Sequence, residues 1–272
     1  MKRIGLLGCG AIGTQIALAI DSGKIPATLT HVYDIERSQA DNLVSKLKQK
    51  PEVVANSHLL SSNPVELVVE AASQDAVRND AVSILQNKKD MMIMSAGALL
   101  DESVFEVISD ACRDFGKTVY LPSGAIAGLD ALKAVKDELE SVVLVTTKNP
   151  NSLKDAPFFD SSDIDPEKIS EPTVLFDGTA KEAVSLFPKN VNVSALLSLV
   201  GLGGNNTSVR VVADPNTDKN THEINANGKF GNLKITVENV PDSMNPKTSR
   251  LATLSAVELL RQICTKEVQI GT

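Results

Sequence analysis

Tryptophan is absent from this 272-residue chain, and two tyrosines and seven phenylalanines are its only aromatics. That leaves little with which to stack nucleic-acid bases. Positive charge is also in short supply: 27 Lys plus Arg stand against 34 Asp plus Glu, a formal net charge of −7, with no basic block. Affinity gained by neutralising a line of phosphates is therefore not expected, and no nucleic-acid partner is. No stretch of ~18 uninterrupted apolar residues is present, so neither is a membrane span. Cys9, Cys112 and Cys264 are odd in number, far apart and without CxxC spacing. They support neither a disulfide framework nor a metal site, and they point to a reducing, cytoplasmic compartment.

What is present is ordinary for a globular chain, 42% hydrophobic and 22% charged, and at ~150 residues per domain its length favours two domains. Ile4 to Leu7 is a short apolar run that stops at Gly8, and Ala11 to Ile20 has helical spacing through Ile12, Ile16, Ala19 and Ile20. The two cations at Lys2 and Arg3 would suit a leader peptide, but the glycines that follow the run are better explained as a turn between strand and helix. Thr28 to Tyr33 is β-branched and ends at Asp34, and a polar helix follows until Pro51. Val65 to Val69, Met91 to Met94 and Thr118 to Leu121 are short apolar runs, alternating with helical stretches over Asp75 to Gln86 and Asp101 to Phe115. Continuously apolar strands joined by helices pack as a doubly wound parallel sheet, because a parallel crossover needs a dozen or so residues.

From Ser141 the rhythm changes. Val142 to Thr147, Thr173 to Asp177, Ser208 to Ala213, Glu223 to Ala226 and Leu233 to Val237 are expected strands, the last alternating apolar and polar residues. A mainly antiparallel sheet is expected, covered on one face by helices over Thr179 to Leu186 and Ala195 to Val200. Lys247 to Ile263 is an amphipathic closing helix. The organisation expected is thus residues 1–140 as an α/β domain, 141–246 as an α+β domain, and 247–272 packing back on the first. The acidic stretch Phe159 to Pro172 lacks the alternating ligands and central glycine of an EF-hand and reads as a solvated loop.

Gly8-Cys9-Gly10-Ala11-Ile12-Gly13 matches GxGxxG between an expected strand and an expected helix. Asp34 closes the next strand near the ~20-residue interval at which a ribose-binding acid falls. In this pattern Gly8 makes the turn, Gly10 lets a pyrophosphate approach, and Gly13 lets helix and strand pack, with the helix N-terminus at Ala11 and Ile12 facing the phosphate charge. Asp34 favours NAD by bonding both ribose hydroxyls, while Arg37 keeps NADP open. Small residues at the other strand ends, among them Ala72, Ser95, Ser123 and Ala125, leave room for a nicotinamide riboside or a small substrate. Of three histidines, His31 falls in a strand and His58 in a loop. His222 follows the polar run Asn216 to Thr221 and is a candidate proton carrier near neutral pH.

Together these motifs resemble the L-aspartate dehydrogenase family. The residues that carry the resemblance are Gly8 to Gly13, Leu121 to Asp130, Thr146 to Pro150, Asn190 to Ala195 and Thr221 to Ile224, spanning both halves of the chain. Asn149 stands where the family pattern has proline. The resemblance implies a Rossmann domain binding NAD or NADP, an α+β domain binding L-aspartate, and a homodimer. It places catalysis on His222 and cofactor contacts on Ala125 and Asn192. A dicarboxylate needs cationic or amide partners, for which Lys148 and Asn192 are best placed, Lys148 otherwise being a surface strand-end cation; Ser123 is a further expected substrate contact. The implied reaction is oxidative deamination of L-aspartate to iminoaspartate, then oxaloacetate and ammonia, feeding NAD biosynthesis. A homoserine dehydrogenase, another amino-acid or aldehyde dehydrogenase, and a non-catalytic NAD-binding sensor remain as alternatives.

Overall fold

A computed structural model describes the chain except for residues 63, 189–191, 243, 244, 246, 247, 266, 267 and 269–272. Two compact units result: Met1–Pro122 with the described residues from Thr253 onward, and Ser123–Ala252. Residues 123–140, expected in the first domain, group with the second unit, where the short helix they contain packs on a helix of that unit.

In the first unit the chain runs β1 (Lys2–Leu7), α1 (Ala11–Asp21), β2 (Ala27–Tyr33), α2 (Arg37–Lys46), β3 (Glu52–Val53), β4 (Leu67–Glu70), α3 (Gln74–Gln86), β5 (Asp90–Ile93), α4 (Glu102–Phe115) and β6 (Val119–Tyr120). All strand pairs are parallel, in the order β3-β2-β1-β4-β5-β6. The chain builds outward from β1 on one side, then crosses to the other at β4. That crossover sets the C-terminal ends of β1 and β4 side by side, where open sheets of this kind bind ligands. Ile4 and Leu6 of β1, Ile16 of α1 and Val69 of β4 are fully buried, each contributing roughly 1.5–3 kcal/mol relative to exposure.

In the second unit the elements are α5 (Leu129–Ala134), β7 (Leu139–Lys148), α6 (Pro150–Leu153), β8 (Thr173–Thr179), α7 (Ala180–Leu186), α8 (Asn192–Val200), β9 (Thr207–Ala213), β10 (Asn220–Gly228) and β11 (Gly231–Asn239). The sheet order is β11-β10-β7-β9-β8. It is mixed, because β7 and β9 run parallel while the other pairs are antiparallel. The long excursion through β8, α7 and α8 supplies the crossover that a parallel pair needs. Strict alternation along β7 buries Val142, Leu144, Thr146 and Lys148 on the face that α7 and α8 cover. The closing helix α9 (Arg250–Cys264) places Ala256 and Leu260 in the first unit's core with Ile4, Leu6 and Ile16. Lys247, its expected start, lies outside the described residues.

Candidate functional site

The glycine turn after β1 shows three different reasons for glycine. Gly8 has φ +96°, and a Cβ on it would lie 2.6 Å from the Ala71 carbonyl and 2.7 Å from the Ala72 nitrogen, so backbone meets backbone there. At Gly13 a Cβ would lie 2.0 Å from the Gly8 oxygen, which is the close packing of α1 on the turn. Gly10 differs: its φ is −67° and a Cβ would meet nothing within 4 Å. The fold itself does not demand glycine at Gly10. The open space in front of it, beside an α1 N-terminus that no side chain caps, fits a pyrophosphate approaching the orphan N–H groups of the first turn, including those of Ala11 and Ile12.

Asp34 sits one residue past β2. Its Oδ2 accepts the Cys9 N–H at 2.7 Å and its Oδ1 accepts the Glu36 N–H at 2.9 Å. The carboxylate is thus held against the glycine turn, and each oxygen retains acceptor capacity for a ribose hydroxyl. Burial, reinforced by Asp34, pushes the Cys9 thiol up to about 12, so it is an inert packing group. Arg37 opens α2, is well exposed and pairs with Asp41 at 3.7 Å.

Glu70, which sequence reading passed over, closes β4 with no exposed surface. One oxygen accepts the Ala72 N–H at 2.8 Å and the Ser95 hydroxyl at 2.8 Å. The other accepts the N–H groups of Met94 and Ser95 at 3.1 and 3.0 Å. Burial raises its pKa while these hydrogen bonds oppose the rise. The Ser95 hydroxyl, anticipated as a cofactor contact, is therefore turned onto Glu70.

In the second unit, His222 corrects an expectation. The run before it ends sooner than the polar residues suggest, because Asn220 already pairs with Asn239 in the ladder. His222 is accordingly the third residue of β10, inside the sheet and 1% exposed. It lies directly opposite Thr146 of β7, whose hydroxyl is 3.1 Å from its Nδ1. Nε2 has no hydrogen bond among the described residues. Burial first, and the charge of Lys148 second, push the imidazole down to about 3. The ring is neutral at pH 7 and does not titrate near neutrality as expected from its sequence surroundings.

Lys148 ends β7 two residues beyond Thr146 on the same face and is 3% exposed. It is no surface cation, and burial lowers its pKa to about 8. Asn149 takes the next position, where its side chain caps α6 by accepting the Asn151 N–H and donates to the Pro215 and Thr217 carbonyls.

Asn192 begins α8, and its buried Oδ1 accepts no hydrogen bond among the described residues. Asn190 and Val191, part of the same expected motif, lie outside the described residues. The Ser123–Gly128 turn packs against α8 and β11: a Cβ on Gly124 would touch Leu196 at 3.3 Å, and one on Gly128 would clash with Ile235 at 2.2 Å. Asn239 of β11 donates to the Ala125 carbonyl at 3.0 Å. Gly8, Gly10, Ala11, Ile12, Gly13, Asp34, Ala72 and Ser95 are thus grouped in one unit, and Ser123, Ala125, Lys148, Asn192 and His222 in the other. The bonding roles of Thr146 and Asn239 went unforeseen because their partners are set by strand register and tertiary contact. Among the described residues no group of three or more His, Cys, Asp or Glu side chains could hold a metal ion, and no helix is long and apolar enough to cross a membrane.

Family models match both halves of the chain. A family model described as the C-terminal part of aspartate dehydrogenase matches residues 130–263. One described as the NAD binding domain of homoserine dehydrogenase matches residues 8–122. The chain is 66% identical over 272 residues to L-aspartate dehydrogenase of Nitrosopumilus maritimus, with all of both chains covered. It is 47% identical over 273 residues to the enzyme of Methanocella arvoryzae, again with both chains fully covered. Among solved structures, aspartate dehydrogenase of Thermotoga maritima matches with a TM-score of 0.76 at 27% identity, covering 99% of each chain. A homoserine dehydrogenase of Thiobacillus denitrificans, at 12% identity and TM-score 0.60 over 96% of this chain and 74% of its own, shares the fold.

Proposed function

The chain belongs to the L-aspartate dehydrogenase family, and from that premise we propose how its own residues carry out NAD(P)-dependent oxidation of L-aspartate. The first unit holds the dinucleotide through Gly8, Gly10, Ala11, Ile12, Gly13 and Asp34, with Ala72 and Ser95 in the adjoining turns, and the family resemblance assigns further cofactor contacts to Ala125 and Asn192. Bound NAD or NADP supplies the hydride acceptor. Lys148, Asn192 and Ser123 take the aspartate, a cation, an amide and a hydroxyl that can all donate to carboxylates.

His222 is the proton-handling group, and the observation that carries the reading is its environment. A neutral imidazole is buried on a sheet face with Lys148, and Thr146 engages its Nδ1. Burial is the larger cause of the depressed imidazole and the charge of Lys148 the smaller, so a substrate carboxylate paired with that ammonium offsets the smaller part and raises the basicity of His222 when aspartate is present. Loss of hydride from Cα and of a proton from nitrogen gives iminoaspartate. Addition of water then releases oxaloacetate and ammonia, the proton transfers passing through His222. Iminoaspartate retained for condensation would feed NAD biosynthesis.

Removing a positioned general base costs ~10²- to 10⁴-fold. His222→Ala is therefore expected to lower kcat at least ~100-fold with NADH binding intact. Absorbance at 340 nm with aspartate measures this, with His31→Ala and His58→Ala as controls. Retention of more than about a tenth of wild-type kcat would falsify the role. The enzyme works as a cytoplasmic homodimer. The second face of the β7-β9-β8 sheet supports this, since Val143, Val145 and Val212 are only half-buried and Val174 is exposed. Light scattering should give about twice the 28.9 kDa chain mass.

A further inference from the structure

We propose that Glu70 is a positioning residue of the dinucleotide site, its carboxylate fixing the turns after β4 and β5 against the glycine turn. Four hydrogen bonds from two separate turns converge on one fully buried side chain. All four donors are neutral, namely three backbone N–H groups and one hydroxyl, and they solvate the charge as water would.

The consequence reaches further than the β4 and β5 turns. The Ala71 and Ala72 backbone is the surface on which Gly8 closes, and the Ala72 N–H is fixed by Glu70. Cys9, next to Gly8, donates its N–H to Asp34. A continuous line thus runs from Ser95 through Glu70, Ala72, Gly8 and Cys9 to Asp34, crossing the ends of β5, β4, β1 and β2. It links the proposed ribose-binding acid to the far side of the crossover where the dinucleotide lies. The inference rests on the first unit binding NAD(P).

A carboxamide cannot replace this carboxylate, because its NH2 group would face N–H or O–H donors whichever way it is turned. Glu70→Gln is therefore expected to raise the NADH Kd at least ~10-fold, read by nucleotide fluorescence, while the aspartate KM at saturating cofactor stays within about twofold. An NADH Kd within about twofold of wild type in the folded variant overturns the proposal. If Glu70→Gln does not fold, Ser95→Ala removes one donor and keeps the charge. It is expected to weaken NADH about threefold and to speed amide exchange at Ala72 and Met94. Weaker binding without faster exchange would mean that the Ser95 hydroxyl touches the cofactor itself, and unchanged binding that Glu70 positions nothing. Either result overturns the proposal. The wild-type titration alongside reports on cofactor binding itself, and wild-type protein that leaves NADH unbound overturns both readings.

Discussion

The two units handle buried polarity in opposite ways. In the first, the carboxylates of Asp34 and Glu70 are met by backbone N–H groups and one hydroxyl, and the ligand-facing surface is made of turns. In the second, a histidine and a lysine are carried by regular strands into a sheet's covered face, where burial drives both toward their neutral forms. Backbone recognises a shape that every dinucleotide shares. Buried side chains with displaced proton affinities distinguish one small substrate and move its protons. On the proposed reading, the first unit is built to bind the dinucleotide, and the second to take the substrate and react with it.

That division can be broken most sharply at Gly10. Since a Cβ there meets nothing in the protein, Gly10→Val should keep the fold and its melting temperature yet lose ~10³-fold or more in NADH affinity, because only the ligand collides with it. Gly13→Val is the counterpart. Its side chain enters the Gly8 carbonyl, so calorimetry should record a large loss of stability, at the upper end of the ~1–3 kcal/mol of overpacking. If Gly10→Val unfolds as readily as Gly13→Val, the open space at Gly10 is not reserved for a ligand.

A smaller effect is expected at Asp34. Asp34→Ser removes the acid proposed to accept the ribose hydroxyls and to repel a 2′-phosphate, and the NAD to NADP ratio of kcat/KM should fall about tenfold. An unchanged ratio would show that the adenosine ribose is read elsewhere.

In the second unit the proton affinities make the comparison thermodynamic. The unfolded chain protonates His222 below about 6.5 and the folded protein only near 3, so stability falls as pH drops from about 6.5 toward about 3. Lys148 keeps its proton to about 10.5 when unfolded and releases it near 8 when folded, so stability rises with pH across that window. Urea midpoints against pH should show both slopes, with Lys148→Met flattening the alkaline one. The aspartate KM should rise above about pH 8 as the ammonium is lost. Least of all, Thr146→Val removes the hydroxyl at Nδ1 and should lower kcat about threefold, with Thr146→Ser near wild type.

The units also differ in how far the amino-acid sequence reveals them. Turn chemistry is local, so Gly8, Gly10, Gly13 and Asp34 could be read from spacing and strand rhythm. Glu70 escaped because a charged residue closing the apolar run Leu67 to Val69 looks like the end of a strand. Only the β5 turn, far away in sequence, makes it a buried ligand of N–H groups. His222 was noticed for its polar neighbours, yet its low proton affinity depends on a register with β7 that periodicity cannot supply. The parallel β7-β9 pair was missed for the same reason: alternation defines a strand's faces, not its partners.

The separation of binding from chemistry is tested most directly by measuring NADH affinity and kcat on Gly10→Val and His222→Ala side by side. The account expects a crossed result. Gly10→Val should lose NADH, whereas His222→Ala should bind NADH within about twofold of wild type while kcat falls at least ~100-fold. Loss of NADH affinity in His222→Ala, or turnover above about a tenth of wild type, would contradict it.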